Sequence, residues 1–153
     1  MVADLTKIFI SKSEKDTKKL AETLAQKAKR GDVFALFGTL GMGKSVFARA
    51  FIQKLTDAKE VPRPTLTLVQ QYEASDFEIY HFDLYRLKSP DEVFELGFEE
   101  AVYEGVCLIE WPEQAGNWLP RDIFKIEITS NKNERIFKIS AHSSEKAKRL
   151  EDL

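Results

Sequence analysis

Three glycines, a lysine and a serine follow one short apolar run, and this arrangement constrains the fold more than any other feature of the chain. The run is Val33–Phe37, and residues 38–45 after it read Gly-Thr-Leu-Gly-Met-Gly-Lys-Ser. Phe47, Phe51 and Leu55 then recur near one face of a helix. The pattern predicts a buried strand, a tight glycine-rich turn and a helix, which together form a unit of an α/β fold.

The turn matches the pattern of a phosphate-binding loop at every position. Glycines let the backbone adopt left-handed angles, so that successive N–H groups point inward. These donors and the positive end of the next helix hold phosphate oxygens, while Lys44 neutralises the β- and γ-phosphates and Ser45 offers a hydroxyl to Mg²⁺. A turn without a ligand is the alternative, and the strand–helix context disfavours it. The residues expected to bind ATP are Gly38, Thr39, Leu40, Gly41, Met42, Gly43, Lys44 and Ser45.

Two carboxylates compete for the role of holding the water shell of the metal. Glu110 ends the apolar segment Val106–Glu110, where an unpaired carboxylate is costly without metal or water contact. Asp83 lies on a different predicted strand. Either can bind Mg²⁺ through water or orient the attacking water. The alternatives are a strand end that faces solvent for Glu110 and a salt bridge with Arg86 for Asp83.

Four other side chains have both a functional and an ordinary interpretation. Thr65 and Thr67 fit switch-loop hydroxyls that reach the metal or the γ-phosphate, but threonine is also common in an alternating strand. His81 fits a core histidine that makes one hydrogen bond. Trp111 fits either an aromatic ring stacked on a base or a rim residue that covers the core.

The remaining periodicity predicts an α/β fold in which strands and helices alternate. Strands are expected at residues 7–10, 65–72 and 77–85, with a hairpin around residues 130–134. Helices are expected after the caps Ser13 and Ser89, with stops at Gly31, Gly97 and Gly105. We predict one P-loop NTPase-like domain over residues 1–153, with a central mixed sheet flanked by helices and a peripheral polar tail from about residue 144.

Composition narrows the function classes. The 23 basic and 25 acidic residues give a formal charge of −2, which disfavours tight direct binding of RNA or DNA over a wide surface. The single cysteine, Cys107, cannot form an internal disulfide and fits a buried hydrophobic position in a reducing compartment. There is no secretory h-region or membrane-length apolar run, so we expect a cytoplasmic protein without membrane contact.

Together these segments resemble the TsaE family, the bacterial ATPase of tRNA threonylcarbamoyladenosine synthesis. The matching segments are "FGTLGMGKS", "RPTLTLVQQY", "YHFDLYRL", "LGFEE" and "LIEWPE", in that order across residues 38–113. Their combination is much more specific than the phosphate loop alone. The resemblance implies an ATP-hydrolysing subunit that works with TsaB and TsaD. That complex modifies the adenosine beside the anticodon, so this chain meets tRNA indirectly.

The resemblance also implies residue roles by position. Lys44 and the loop amides bind phosphates, Ser45 and Glu110 meet Mg²⁺, and Asp83 is an essential acid of the site. Ser45 stands where the family usually has threonine, and it keeps the hydroxyl. The resemblance implies that Thr65 is a switch residue and that Trp111 borders the nucleotide or partner surface. It also implies that Arg135 and Glu14 contact the nucleotide.

Two rival functions remain open on sequence alone. The first is a small-molecule kinase, which has the same loop but usually adds an arginine-bearing lid, and the sequence has no Arg-rich lid segment. The second is a non-catalytic module that binds partners in response to a nucleotide. Rapid phosphoryl transfer to a metabolite would indicate a kinase. Slow or absent hydrolysis, unchanged when partner proteins are added, would indicate a binding module.

Overall fold

The structure, a computed structural model, describes residues 4–39, 43–62 and 68–153 of the chain. Within these residues seven strands form one sheet: β1 (Leu5–Ser11), β2 (Val33–Phe37), β3 (Val69–Glu73), β4 (Glu78–Asp83), β5 (Val106–Glu110), β6 (Phe124–Asn131) and β7 (Glu134–Ala141). The α-helices are α1 (Glu14–Gln26), α2 (Lys44–Leu55), α3 (Phe98–Glu104) and α4 (Ser144–Leu150). Two 3₁₀ helices span Pro90–Leu96 and Pro112–Trp118.

The sheet is mixed, with a parallel centre and antiparallel edges. Its strand order is β1-β7-β6-β2-β5-β4-β3. The four central strands β6, β2, β5 and β4 are parallel, whereas β1, β7 and β3 join antiparallel to their neighbours. The predicted P-loop NTPase-like α/β fold, a central mixed sheet flanked by helices, is therefore confirmed. Because β2, β4 and β5 are parallel, the loops at their carboxyl ends lie at one edge of the sheet.

Aromatic side chains fill the core on both faces of the sheet. On the face covered by α1 and α2, Phe34 contacts Phe51 edge-on at 4.9 Å between ring centroids and stacks on Phe124 at 4.8 Å. On the opposite face, Phe82 of β4 meets Phe98 of α3 at 5.3 Å. A strand buried on both sides reads as a continuous apolar run, which explains the composition of β2 and β5.

Ser13 caps the start of α1 as predicted, but the Asp16 carboxylate accepts the reciprocal bond from the N–H of Lys12 rather than from that of Ser13. The backbone N–H of Asp16 donates to Ser13 Oγ at 3.2 Å, and the N–H of Lys12 donates to a carboxylate oxygen of Asp16 at 2.9 Å. The helix ends at Gln26, earlier than the stop predicted at Gly31. Its periodicity continues further in the sequence than the hydrogen bonds do in the structure.

The tail contributes to the core more than the sequence indicated. Its predicted helix is present as α4, but Leu150 is fully buried and Ala147 is buried as well. Arg149 donates two hydrogen bonds, of 2.6 and 2.7 Å, to the buried carboxylate of Asp32. Residues of low polarity on one side of α4 and this ion pair fix the helix against the start of β2.

The remaining elements follow the predictions with shifted bounds. β3 and β4 form the predicted antiparallel pair, and β6 and β7 form the predicted hairpin. The predicted strand at residues 65–72 starts only at Val69, and residues 63–67 lie outside the described ranges. Cys107 is fully buried, and burial raises the pKa of its thiol to about 12. Among the described helices, none has the length and apolar character that crossing a membrane requires.

Candidate phosphate-binding site

The first turn of α2 begins directly after the glycine-rich loop that leaves β2. Gly43 caps this helix with φ of +92°, a left-handed angle that glycine adopts without strain. A Cβ added at Gly43 would meet no described atom within 4 Å, so the space beside this backbone is open. The 12-residue helix directs its positive end and its unpaired first N–H groups toward that space. Leu40, Gly41 and Met42 lie outside the described residues, and their phosphate contacts stay predictions.

Lys44 is buried at this helix start with only 3% of its surface exposed. Its Nζ donates a hydrogen bond to the carbonyl oxygen of Gly38 at 2.7 Å, across the mouth of the loop. The same ammonium lies 4.0 Å from the centre of the Trp111 ring, a cation–π contact. Trp111 itself packs on Tyr85 at 4.8 Å between ring centroids. The tryptophan ring therefore lies against the lysine ammonium, and its predicted role at the border of the nucleotide or partner surface stays a prediction.

A cavity of about 660 Å³ opens in front of the α2 N-terminus. It brings together five residues that the sequence predicted as nucleotide contacts: Gly43, Lys44, Ser45, Glu14 and Arg135. Its volume lies in the range of small-molecule and cofactor sites. The other lining residues are Ser11, Lys12, Ser13, Thr17, Val46 and Asn133.

Strand pairing explains how residues so far apart in the chain reach one cavity. β1 pairs antiparallel with β7 in a register that places Ser11 opposite Arg135. The turn from β1 into α1 is fixed locally, because Ser11 Oγ donates to the carbonyl of Ser13 at 2.8 Å and shares a 2.6 Å hydrogen bond with Thr17 Oγ1. This arrangement sets the β1–α1 turn and the β6–β7 hairpin side by side as one wall of the cavity.

Sequence reasoning missed the polar residues of this wall. Ser11, Lys12 and Asn133 line the cavity but belong to no motif. The only local signal is the turn composition at Lys132-Asn133, where Lys132 has φ of +58°. Their position depends on the β1–β7 register, a long-range property that short patterns do not contain.

The two candidate carboxylates lie side by side rather than in the cavity wall. Asp83 and Glu110 are register partners at the carboxyl ends of β4 and β5. Asp83 is 4% exposed, and its Oδ1 accepts a hydrogen bond from the N–H of Tyr85 at 3.1 Å. Within the described residues Asp83 forms no ion pair, so the alternative of a salt bridge with Arg86 is not observed.

Glu110 is fully buried, so the alternative of a solvent-facing strand end is wrong. Its Oε2 lies 2.7 Å from Nε2 of His81, which is also buried. Neither Glu110 Oε1 nor His81 Nδ1 has a hydrogen-bond partner in the described part of the protein. His81 therefore makes the single hydrogen bond predicted for a core histidine. Its partner is a carboxylate with one unused oxygen.

The donor set fits a magnesium ion that is also bound by phosphate and water. No group of three or more His, Cys, Asp or Glu residues capable of holding a metal occurs in the described ranges. Mg²⁺ in nucleotide sites is usually held by one or two side chains together with phosphate oxygens and waters. Ser45, which lines the cavity, has a hydroxyl of this kind, and Oε1 of Glu110 at the end of β5 is a carboxylate oxygen without a hydrogen-bond partner among the described residues. The predicted switch residues Thr65 and Thr67 lie outside the described residues.

A protein-family comparison matches residues 11–137 of the chain. The family is described as "Threonylcarbamoyl adenosine biosynthesis protein TsaE". The matched span includes every residue that lines the cavity. It also includes the His81, Asp83 and Glu110 cluster at the ends of β4 and β5.

Individual relatives cover most of the chain. A Rickettsia felis protein named "tRNA threonylcarbamoyladenosine biosynthesis protein TsaE" is 42% identical over 140 residues, which are 90% of this chain and 82% of that protein. A Bacillus subtilis protein of the same name is 38% identical over 114 residues, 74% of this chain and 71% of the relative. The crystal structure of YdiB from Bacillus subtilis superposes with a TM-score of 0.76 and 29% identity, covering 99% of this chain and 95% of that one.

Proposed function

The chain belongs to the TsaE family, and from that premise we propose that it is a Mg²⁺-dependent P-loop ATPase of tRNA threonylcarbamoyladenosine biosynthesis. It acts as one domain over residues 1–153, in the cytoplasm, together with the TsaB–TsaD transferase complex. That complex carries out the group transfer to the adenosine beside the anticodon, and this chain hydrolyses ATP to support its turnover. The tRNA is reached through the partner proteins, since the formal charge of −2 gives no general attraction to a polyanion.

The observation that carries the proposal is the position of Lys44 at the start of α2. Its ammonium lies 2.7 Å from the Gly38 carbonyl and opens onto a 660 Å³ cavity that Arg135 also lines. Two cationic side chains and the positive helix end favour a polyphosphate there. Lys44 moves from the Gly38 oxygen to a phosphate oxygen when the nucleotide binds. Glu14, on the cavity wall that also carries Arg135, contacts the nucleotide away from the phosphates.

The carboxylates at the strand ends supply the hydrolytic step. Water adds to the γ-phosphorus, the bond to the bridging oxygen breaks, and ADP, inorganic phosphate and a proton are released. We assign Asp83 to orient the attacking water, while Ser45 and Glu110 would hold Mg²⁺. The bound ion supplies positive charge to the β- and γ-phosphate oxygens. Thr65 acts as the switch residue that reports the γ-phosphate.

The proposal is tested by reconstitution with TsaB, TsaD, tRNA and threonylcarbamoyl-adenylate. Modified nucleoside is counted over several turnovers, with and without this chain. We expect a single turnover in its absence and repeated cycles in its presence. Equal multiple turnover in both reactions contradicts the proposed role in the pathway.

The catalytic assignment is tested in the same mixture with Asp83→Ala and Glu110→Ala. Removing a group that stabilises the transition state lowers the rate by about 10²–10³-fold. Nucleotide affinity, measured with a fluorescent ATP analogue, should change much less. Hydrolysis at the parent rate in both variants contradicts the assigned site. Rapid phosphoryl transfer to a metabolite would instead indicate a kinase, and nucleotide binding without hydrolysis would indicate a binding module.

A further inference from the structure

We infer that His81 is a positioning residue, which holds one oxygen of Glu110 so that the other oxygen stays fixed toward the metal and its water. This inference rests on the proposed function and deepens it. It gives a role to a side chain that the sequence had explained as part of the core. Its basis is a buried pair of side chains with one short hydrogen bond and one unpartnered atom on each side.

The hydrogen bond is short and excluded from water. His81 Nε2 lies 2.7 Å from Glu110 Oε2, and the two side chains are 3% and 0% exposed. A bond to an ionised acceptor is shorter and stronger than one between neutral groups. In the proposed role the carboxylate accepts this hydrogen bond, and the imidazole donates it from Nε2. The bare Nδ1 then carries no N–H, which fits its lack of a partner among the described residues.

Strand register directs the two side chains toward each other. His81 is two residues before Asp83 on β4, and Asp83 is the register partner of Glu110 on β5. Every second residue of a strand faces the same side, so His81 and Asp83 share one face of the sheet with Glu110, the register partner of Asp83. Ile79, two residues before His81, belongs to the core cluster that packs against Phe47 of α2. The histidine thus lies on the side of the sheet that carries the phosphate-binding helix.

The consequence for Glu110 is that its free oxygen is held in one orientation. A buried carboxylate with neither bond would lose hydration at both oxygens, which is unfavourable for a charged group. His81 satisfies Oε2, and the ring is itself fixed by the surrounding strands. Oε1 has no hydrogen-bond partner among the described residues. Similar outer partners orient metal-binding side chains in many proteins, and their removal lowers metal affinity or activity by about 10–100-fold.

A purely structural pair is the competing explanation, and it makes different predictions. A buried hydrogen-bonded pair adds little net stability compared with apolar packing. It also gives no reason for Oε1 to remain unpartnered in a fully buried position. If His81 were only structural, its loss would lower stability and would affect activity independently of Glu110.

The first experiment needs neither nucleotide nor metal. The chain has two histidines, His81 and His142, so long-range ¹H–¹⁵N spectra contain two imidazole patterns. His142 is exposed, with Nδ1 3.0 Å from Asp4 Oδ1, and His142→Gln assigns its signals. We expect His81 to carry its proton on Nε2. A proton on Nδ1 alone, or rapid exchange between the two tautomers, would overturn the inference.

The second experiment is a double-mutant cycle of His81→Ala and Glu110→Ala, measured as ATP hydrolysis with TsaB and TsaD. We expect His81→Ala to lower the rate about 10–100-fold while nucleotide affinity stays within about threefold. His81→Gln, whose side-chain amide can donate, should recover part of the loss. In the Glu110→Ala background, His81→Ala should have no further effect. Additive losses, or equal losses in His81→Ala and His81→Gln, would show a structural role only. His142→Gln is the matched control and should behave as the parent.

A third measurement separates failure of this inference from failure of the proposed function. The affinity for a non-hydrolysable ATP analogue is measured with and without Mg²⁺ for each variant of the same cycle. The factor by which Mg²⁺ raises this affinity is then compared. We expect His81→Ala to reduce that factor in the parent background but not in Glu110→Ala. If the parent chain does not hydrolyse ATP, the proposed function is wrong, and this binding cycle still decides the role of His81. An unchanged factor in His81→Ala would overturn it.

Discussion

The contacts of Lys44 hold its charge in place before any ligand is bound. The ammonium interacts with the Gly38 carbonyl at 2.7 Å and with the Trp111 ring at 4.0 Å. A nucleotide phosphate replaces a neutral acceptor by a charged one, which strengthens the hydrogen bond. At the scale of single residues, this lysine is therefore the most direct test of phosphate binding.

We predict that Lys44→Ala weakens binding of Mg·ATP by about 10- to 100-fold, because a hydrogen bond to a charged group contributes about 1.5–3 kcal/mol. The measurement is a titration with a fluorescent ATP analogue. Lys54→Ala is the matched control, since Lys54 is an exposed lysine in the last turn of the same helix. Equal affinities of the Lys44→Ala variant and the parent would contradict a phosphate role for this side chain.

Single residues also show which parts of the candidate site could be predicted from the sequence. Local sequence patterns identified the candidate residues, because a glycine-rich turn and acids at strand ends are recognisable in short segments. These candidates are Lys44, Ser45, Asp83 and Glu110. The contact between His81 and Glu110 left none, since the two residues are 29 positions apart and meet only across paired strands. Local patterns identify chemical groups, whereas their pairing depends on register.

At the scale of elements, α4 is tied to Asp32, the residue before β2, by two ion pairs. Arg149 donates to both oxygens of Asp32, and these side chains are 11% and 3% exposed, whereas Lys146 Nζ lies farther away at 3.8 Å. Removing Arg149 takes both short hydrogen bonds from a buried carboxylate and leaves only the longer contact with Lys146. We predict that Arg149→Ala lowers the free energy of unfolding by about 3 kcal/mol in urea titrations at neutral pH. Lys148→Ala, at an exposed position of the same helix, should change it by less than about 0.5 kcal/mol. Similar values for the two variants would contradict the docking role of Arg149.

The pH dependence of this docking follows from Glu145 on the same helix. The hydrogen bond from Arg149 lowers the pKa of Glu145 below its ordinary value of 4.5. The folded state therefore binds this proton less tightly than the unfolded state does. The stabilisation is complete above the unfolded pKa and is lost as the pH falls through the lower folded pKa. We expect the stability of the parent to fall more steeply below about pH 4.5 than that of Arg149→Ala, and parallel curves would contradict this.

The same pair explains an element bound that the sequence predicted wrongly. Helical periodicity in the sequence continues past Gln26 toward Gly31. In the structure, Asp32 accepts a hydrogen bond from the N–H of Lys29 at 2.8 Å and closes a turn before β2. Arg149, 117 residues away, completes the partners of Asp32. Caps such as Ser13 are local and predictable, but this helix end depends on a contact from the other end of the chain.

At the scale of the whole molecule, nucleotide binding should stabilise the fold as one unit. A ligand that binds only the folded state adds about 2.7 kcal/mol at 100 times its Kd. For a chain of this size, that corresponds to a rise in Tm of about 5 to 10 °C. We predict one calorimetric transition that moves upward with Mg·ATP. Two transitions, of which only one moves, would contradict the single-domain prediction.

At the scale of the whole molecule, the pairing of strands that are distant in the sequence could not be predicted. The α/β class and the central mixed sheet followed from strands that alternate with helices. The partnership of β1 with β7 did not, because it joins the two ends of the chain through a register of long sequence separation. Arg135 and Glu14 therefore reached the site only through the family resemblance, and the geometry of their shared cavity came from the fold.

Because the wall of the cavity contains both residue 11 and residue 135, it can be completed only late in translation. A nascent chain can form the glycine-rich turn early, but the enclosure around it has to wait until the last hairpin has emerged from the ribosome. Incomplete chains would therefore hold nucleotides poorly, and truncated products would be unable to compete with the finished protein for its ligand.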